Sequence, residues 1–168
     1  MLSKGLTAVA MVFALCGSVL AGAKEDAEAA IASADTMKGQ VGEELLDVQE
    51  QKETLEARKT ALIQQYTALP TGPVRTACHN HMLAATPHLV QGSVDVGAGW
   101  YLLQFGDAEL TNAIDSYTQV QYGTAITQAN AAEDLYTSGS EKACKAFQEF
   151  YEVEGEFDAI DVLLGAQP

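Results

Sequence analysis

The chain lacks the signatures of the common chemistries. It has no C-x-x-C-H for covalent haem, no Glu-x-x-His for a ferritin-like di-iron pair, and no H-E-x-x-H, G-x-S-x-G or phosphate-binding P-loop. Gly97-Ala98-Gly99 has no third glycine to make a dinucleotide fingerprint. Basic residues are scarce, 9 Lys and Arg against 23 Asp and Glu, for a net charge of −14. Such a field repels nucleic-acid phosphates and anionic lipid headgroups, which argues against nucleic acid, and any electrostatic partner is expected to be cationic. No repeat of 20–50 residues and no low-complexity tail occurs, so solenoids and disordered scaffolds are excluded as well. Nothing in this inventory indicates an enzyme, and no residue is nominated as catalytic.

What is present begins with an export pattern. Lys4, an apolar run from Leu6 to Leu20 and the small-x-small Ala21-Gly22-Ala23 are the three parts of a secretory signal over residues 1–23. The run is shorter than the roughly 20 apolar residues of a comfortable span, and Lys24-Glu25-Asp26 is a poor stop-transfer flank. No stable membrane span is therefore expected after cleavage, the alternative being a retained anchor. The expected location is the periplasm or the extracellular space. Cleavage discards Cys16 and removes Lys4, the one charged residue of the segment, so that −14 becomes −15. Residues 24–168 are then the size of one domain.

The organising stretch runs from Lys24 to Leu69. Ala34, Val41, Val48, Leu55, Leu62 and Leu69 recur every seven residues, and Ile31, Lys38, Leu45, Lys52, Lys59 and Tyr66 form the adjoining row. Both rows share one face of a helix about 65–70 Å long. Three lysines in one row argue against a self-contained two-stranded coiled coil. They instead mark Lys38, Lys52 and Lys59 as a candidate contact seam, their stems lying along a neighbouring helix. The alanine-rich beginning of the stretch, followed by Gly39 and Gly42, is expected to overhang the bundle and meet a partner.

Pro70-Thr71-Gly72-Pro73 is a stop and restart. Beyond it the three-and-four spacing predicts a helix over 74–104, kinked at Pro87, with a short strand over 90–99 as the alternative. Gly106-Asp107 reads as a break with Asp107 as N-cap of a helix over 107–136. Thr137-Ser138-Gly139-Ser140 reads as another, with Ser140 capping a helix over 140–164. The expected fold is all-α: an antiparallel up-down bundle of four helices, over about 25–69, 74–104, 107–136 and 140–164.

In that arrangement the second and fourth helices start at one end, and Cys78 and Cys144 each lie early in their helix. An exported chain with two cysteines at matched depth predicts a Cys78–Cys144 disulfide, worth about 4 kcal/mol for a loop of this length. A redox role would call for C-x-x-C instead. His79, His81 and His88 cluster near the second helix's start and form an alternative Zn or Cu site, although without a ligand-spacing signature. The aromatics Trp100, Tyr101, Phe105, Phe147, Phe150, Tyr151 and Phe157 are expected in the core. The acids Glu152, Glu154, Glu156, Asp158 and Asp161 are expected on a solvated face.

The composite expectation is a non-catalytic helical bundle with an interaction or structural role in the cell envelope. It would hold an envelope protein, or a second copy of itself, without a cofactor. The alternative is a bundle that binds a metal or small ligand through His81, His88 and the nearby interior.

Overall fold

The computed structural model describes the backbone of residues 3–165 and the side chains of residues 20–165. It consists of three α-helices, α1 (Ser3–Ala68), α2 (Pro73–Thr118) and α3 (Tyr122–Gly165). No strand occurs among the described residues, and 90–99 is helix. The all-α expectation holds, with three helices in place of four. Of the expected signal segment, Met1 and Leu2 lie outside the described residues, as do all side chains up to Val19; its remaining backbone is the start of α1.

The three-helix count follows from where the chain breaks. Pro70–Pro73 does end α1, and Pro73 opens α2 where its missing N–H costs nothing; Thr76 N makes the first bond, to Gly72 O at 3.1 Å. The second break lies at Gln119-Val120-Gln121 rather than at either expected cap. There Gln121 N donates to Ser116 O at 2.9 Å and Val120 N to Tyr117 O at 3.0 Å, with Val120 in the left-handed region at φ 63°. This is the paired closure that usually takes glycine at its left-handed position. A valine there gives no sequence signal, so the turn is invisible to pattern reading.

The expected caps do other work. Asp107 sits inside α2 and accepts a hydrogen bond from Tyr136 Oη at 3.0 Å. Ser140 sits inside α3 and donates to Glu44 Oε2 at 2.5 Å. Pro87 does not interrupt α2: the helix runs through it, and Pro87 is exposed, as is Leu83 one turn before it.

Each helix carries two core rows with a seven-residue period. In α1 these are Ala27, Ala34, Val41, Val48, Leu55 and Leu62, with Leu45 and Tyr66 buried in the second row. In α2 a large row, Met82, Leu89, Val96, Leu103 and Leu110, runs beside a small one, Cys78, Ala85, Gly92, Gly99, Gly106 and Ala113. In α3 the rows are Ala129, Tyr136, Ala143, Phe150 and Phe157, and Ala125, Ala132, Gly139, Ala146, Val153 and Ile160. The small row of α2 receives the large aromatic side chains of α3. A Cβ placed on Gly92 would stand 2.3 Å from Phe150 Cε1.

Two compact units result, Met1–Gly39 with Gln104–Tyr136, and Gln40–Leu103 with Thr137–Pro168. The first has an alanine core: Ala27, Ala34, Ala113, Ala125, Ala129 and Ala132 are all fully buried. Its helices therefore approach closely, fixed by Lys38 to Asp107 at 3.2 Å, Ser116 to Gln128 at 2.7 Å and Tyr117 to Glu28. The stretch 24–39, expected to overhang, is packed here through Ala27 and Ala34. The second unit has the larger core, with Leu45, Leu55, Phe150, Val153, Phe157 and Ile160 at 2% exposure or less. Full burial of each such side chain contributes about 1.5–3 kcal/mol. In this unit α1 and α3 both run antiparallel to α2.

The aromatics divide between core and surface. Phe150 and Phe157 are fully buried and are joined there by Tyr136, whereas Tyr101, Phe105, Phe147 and Tyr151 are exposed. A single expectation of core packing therefore holds for some and not for others.

Candidate functional site

In the larger unit, polar side chains flank the α2–α3 seam at intervals of seven. His81 Nδ1 meets Glu156 Oε2 at 2.7 Å, and one heptad on His88 Nδ1 meets Glu149 Oε2 at 2.7 Å. At the third step the polarity reverses: Asp95, 3% exposed, accepts from Lys142 Nζ at 2.6 Å and from Gln91 Nε2 at 2.8 Å. Burial acts to raise the Asp95 carboxyl, but the hydrogen bonds from Lys142 and Gln91 outweigh it, and the group is held below the usual aspartate value. These three rungs fix the register of α3 on α2.

Each of the three histidines has a different neighbour. His81 and His88 each hold a different carboxylate, and His79 is exposed beside Tyr66, with ring centroids 6.3 Å apart. No group of three or more metal-ligating side chains converges among the described residues. Of the acids expected on a solvated face, Glu152, Asp158 and Asp161 are exposed, and several of the five also hold partners. Glu154 accepts from Gln51, and Arg58 reaches Asp158 at 2.6 Å and Asp161 at 2.5 Å while lying 5.7 Å over the Phe157 ring.

The expected Cys78–Cys144 bridge is not formed; both cysteines are free, Cys78 buried and Cys144 exposed. The register explains it. Continuing the Gly92–Phe150 pairing to the start of α2 brings Cys78 level with the end of α3, near Leu164. Cys144 lies roughly twenty residues back along α3, about 30 Å away. A disulfide needs Cα atoms within about 7 Å. The matched depth assumed a helix starting at Ser140, and no helix starts there.

The three lysines of the expected seam have different neighbours. Lys38 pairs with Asp107, and Lys52 lies along its own helix 3.9 Å from Glu56. Lys59 lines a groove of about 600 Å³ with Glu56, Thr60, Leu89, Val90, Ser93 and Val94. That groove opens beside the most unusual surface in the unit, the outer side of α2.

Leu83, Pro87, Val90, Val94, Gly97 and Tyr101 are all exposed, Leu83, Val90, Val94 and Tyr101 at 58–60%. Their spacing of four and three keeps them on one face, turned away from the buried rows. The rows beside them are Thr86, Ser93 and Trp100 on one side and Ala84, Gln91 and Ala98 on the other, all uncharged. Between Arg75 and Asp107 the only Asp, Glu, Lys or Arg is Asp95, which is buried in its pair with Lys142. A strongly acidic protein thus carries a long uncharged strip on α2, bordered at Val90 and Val94 by Glu56 and Lys59 of α1. The signal for it is in the sequence, as a second seven-residue apolar pattern offset from the core rows.

No protein-family model matches the chain, and neither a curated protein nor a solved structure does.

Proposed function

We propose that this is an exported, non-catalytic interaction protein of the cell envelope, and that it binds through the outer face of α2. The observation that carries this reading is the exposed apolar strip of Leu83, Pro87, Val90, Val94 and Gly97. A contiguous apolar surface on an otherwise charged molecule marks a contact site. Export rests on Lys4, the apolar run to Leu20 and Ala21-Gly22-Ala23. No described helix is long and apolar enough to cross a membrane.

The test places a charge in the strip. Wild-type protein and Val94→Glu are immobilised side by side and exposed to the same envelope extract. Val94 is 59% exposed, so the substitution leaves the core untouched. The expected result is that proteins retained by the wild type are lost from the variant. Identical retention by both would remove α2 as the binding surface. Fractionation of the source cells tests export separately, a cytosolic pool of unprocessed chain being the contrary result.

A further inference from the structure

We infer that the occupant of the α2 strip is the same strip of a second copy, packed antiparallel about a two-fold axis; this rests on the reading of that face as the binding surface. Three features of the larger unit lead there.

The first is charge. Two molecules that each carry −14, or −15 without residues 1–23, repel wherever their acidic faces meet. The α1 and α3 surfaces present Glu43, Glu44, Asp47, Glu50 and Glu53, and Glu141 and Glu152, whereas the strip and both α2 rows beside it present none; at its α1 border the acid Glu56 is accompanied by the base Lys59. This is the face through which like copies can approach. A cationic partner would find its complement on α1 or α3 instead.

The second is symmetry. A two-fold contact requires a patch that complements itself. The strip's spacing, four, three, four, three, four, reads the same from either end. Laid antiparallel on its copy, it brings Val90 opposite Val94, Pro87 opposite Gly97 and Leu83 opposite Tyr101. The ring of Pro87 thus faces the residue with no side chain, and a Cβ on Gly97 has nothing within 4 Å in the single chain.

The third is extent. From Leu83 to Tyr101 the strip is about 27 Å long. One helix face of that length is at the small end of specific interfaces, which predicts a reversible, micromolar dimer rather than an obligate one.

Sedimentation velocity of the purified protein across the micromolar range tests this, with the emission of Trp100, the only tryptophan, as a second reading beside the strip. The wild type should pass from monomer to dimer with a blue shift in emission. Val94→Glu should raise the dimer dissociation constant about tenfold or more, because the carboxylate is buried against Val90 of the other copy. Its thermal unfolding, followed by circular dichroism at low concentration, should match the wild type. The double variant Val90→Lys with Val94→Glu should recover the dimer, since the antiparallel register sets each new ammonium against a new carboxylate.

A wild type that stays monomeric throughout overturns the inference, as does a dimer that Val94→Glu leaves unchanged. A double variant no tighter than Val94→Glu overturns the antiparallel register. The two proposals separate cleanly. If the wild type is monomeric yet Val94→Glu loses the envelope proteins that the wild type retains, the second copy is excluded and the binding face stands. If Val94→Glu loses none of them, the binding face itself is excluded.

Discussion

Gly106 of α2 lies against the ring of Tyr136 of α3: a Cβ built on the glycine would stand 2.3 Å from Tyr136 Cε1. The ring is fully buried and its hydroxyl is tied to Asp107, so it has no room to yield. Burial, with Asp107 beside it, raises the ionisation of that hydroxyl well above the ordinary tyrosine value. Gly106→Ala should therefore destabilise the protein by about 1–3 kcal/mol, despite alanine's better helix propensity. Gly155, also inside a helix but with nothing within 4 Å of its Cβ position, is the control. Gly155→Ala should stabilise by about 0.5–1 kcal/mol. Urea denaturation of the two variants measures both, and equal effects would show that the Tyr136 contact costs nothing to disturb.

Val120 closes α2 in a conformation suited to glycine. A left-handed L-residue costs about 1–2 kcal/mol, and β-branching adds to it. Its side chain is 61% exposed, so little packing is lost by removing it. Val120→Gly should raise stability by about 1 kcal/mol, the relief of strain exceeding the added flexibility of the unfolded chain. A lowered melting temperature would contradict this.

Asp95 gives the protein an acid-side weakness. Its folded-state carboxyl titrates below the unfolded value, so the stabilisation is complete above the unfolded aspartate range, about pH 4, and is lost as the pH falls through the lower folded value. Asp95→Asn leaves the Lys142 ammonium without its carboxylate and should cost about 1–3 kcal/mol near neutral pH. The gap between variant and wild type should narrow as the pH is lowered toward about 3. A gap independent of pH would assign the cost to packing.

Cys78 and Cys144 should behave differently. Cys144 is exposed and should react with a thiol reagent in the native protein. Cys78 is fully buried, and burial raises its thiol pKa, so it should react only on unfolding. Thiol counting before and after denaturation checks this. Finding no reactive thiol without reductant would instead restore the Cys78–Cys144 bridge and oppose the register described here.

The sequence displayed the α1 rows plainly, because large residues recur in them and Pro70 and Pro73 end them. The continuity of α2 and α3 was hidden by composition. Gly106-Asp107 and Thr137-Ser138-Gly139-Ser140 have the letters of turns, but Gly92, Gly99, Gly106 and Gly139 are core positions where neighbouring side chains need the volume. Thr86, Ser93 and Thr111 are tolerated inside the helix because each hydroxyl donates to a carbonyl one turn back. The real turn fell on Val120, where the residue type argues against it. The Cys78–Cys144 pairing depends on a helix that starts at Ser140, and α3 runs unbroken through that residue. The histidine–carboxylate rungs depend on the register of α3 against α2, which no single-helix pattern contains.

The unbroken seven-residue rows also bear on how this chain can change length. Deleting one residue near the middle of α2 would rotate everything after it by about 100° relative to its partners, swinging Leu103 and Leu110 out of the interior. Shortening or lengthening that keeps the phase must come in blocks of seven, taken from facing segments of α1, α2 and α3 together. Point substitutions are thus a far gentler route to variation here than insertions, except in the two short turns.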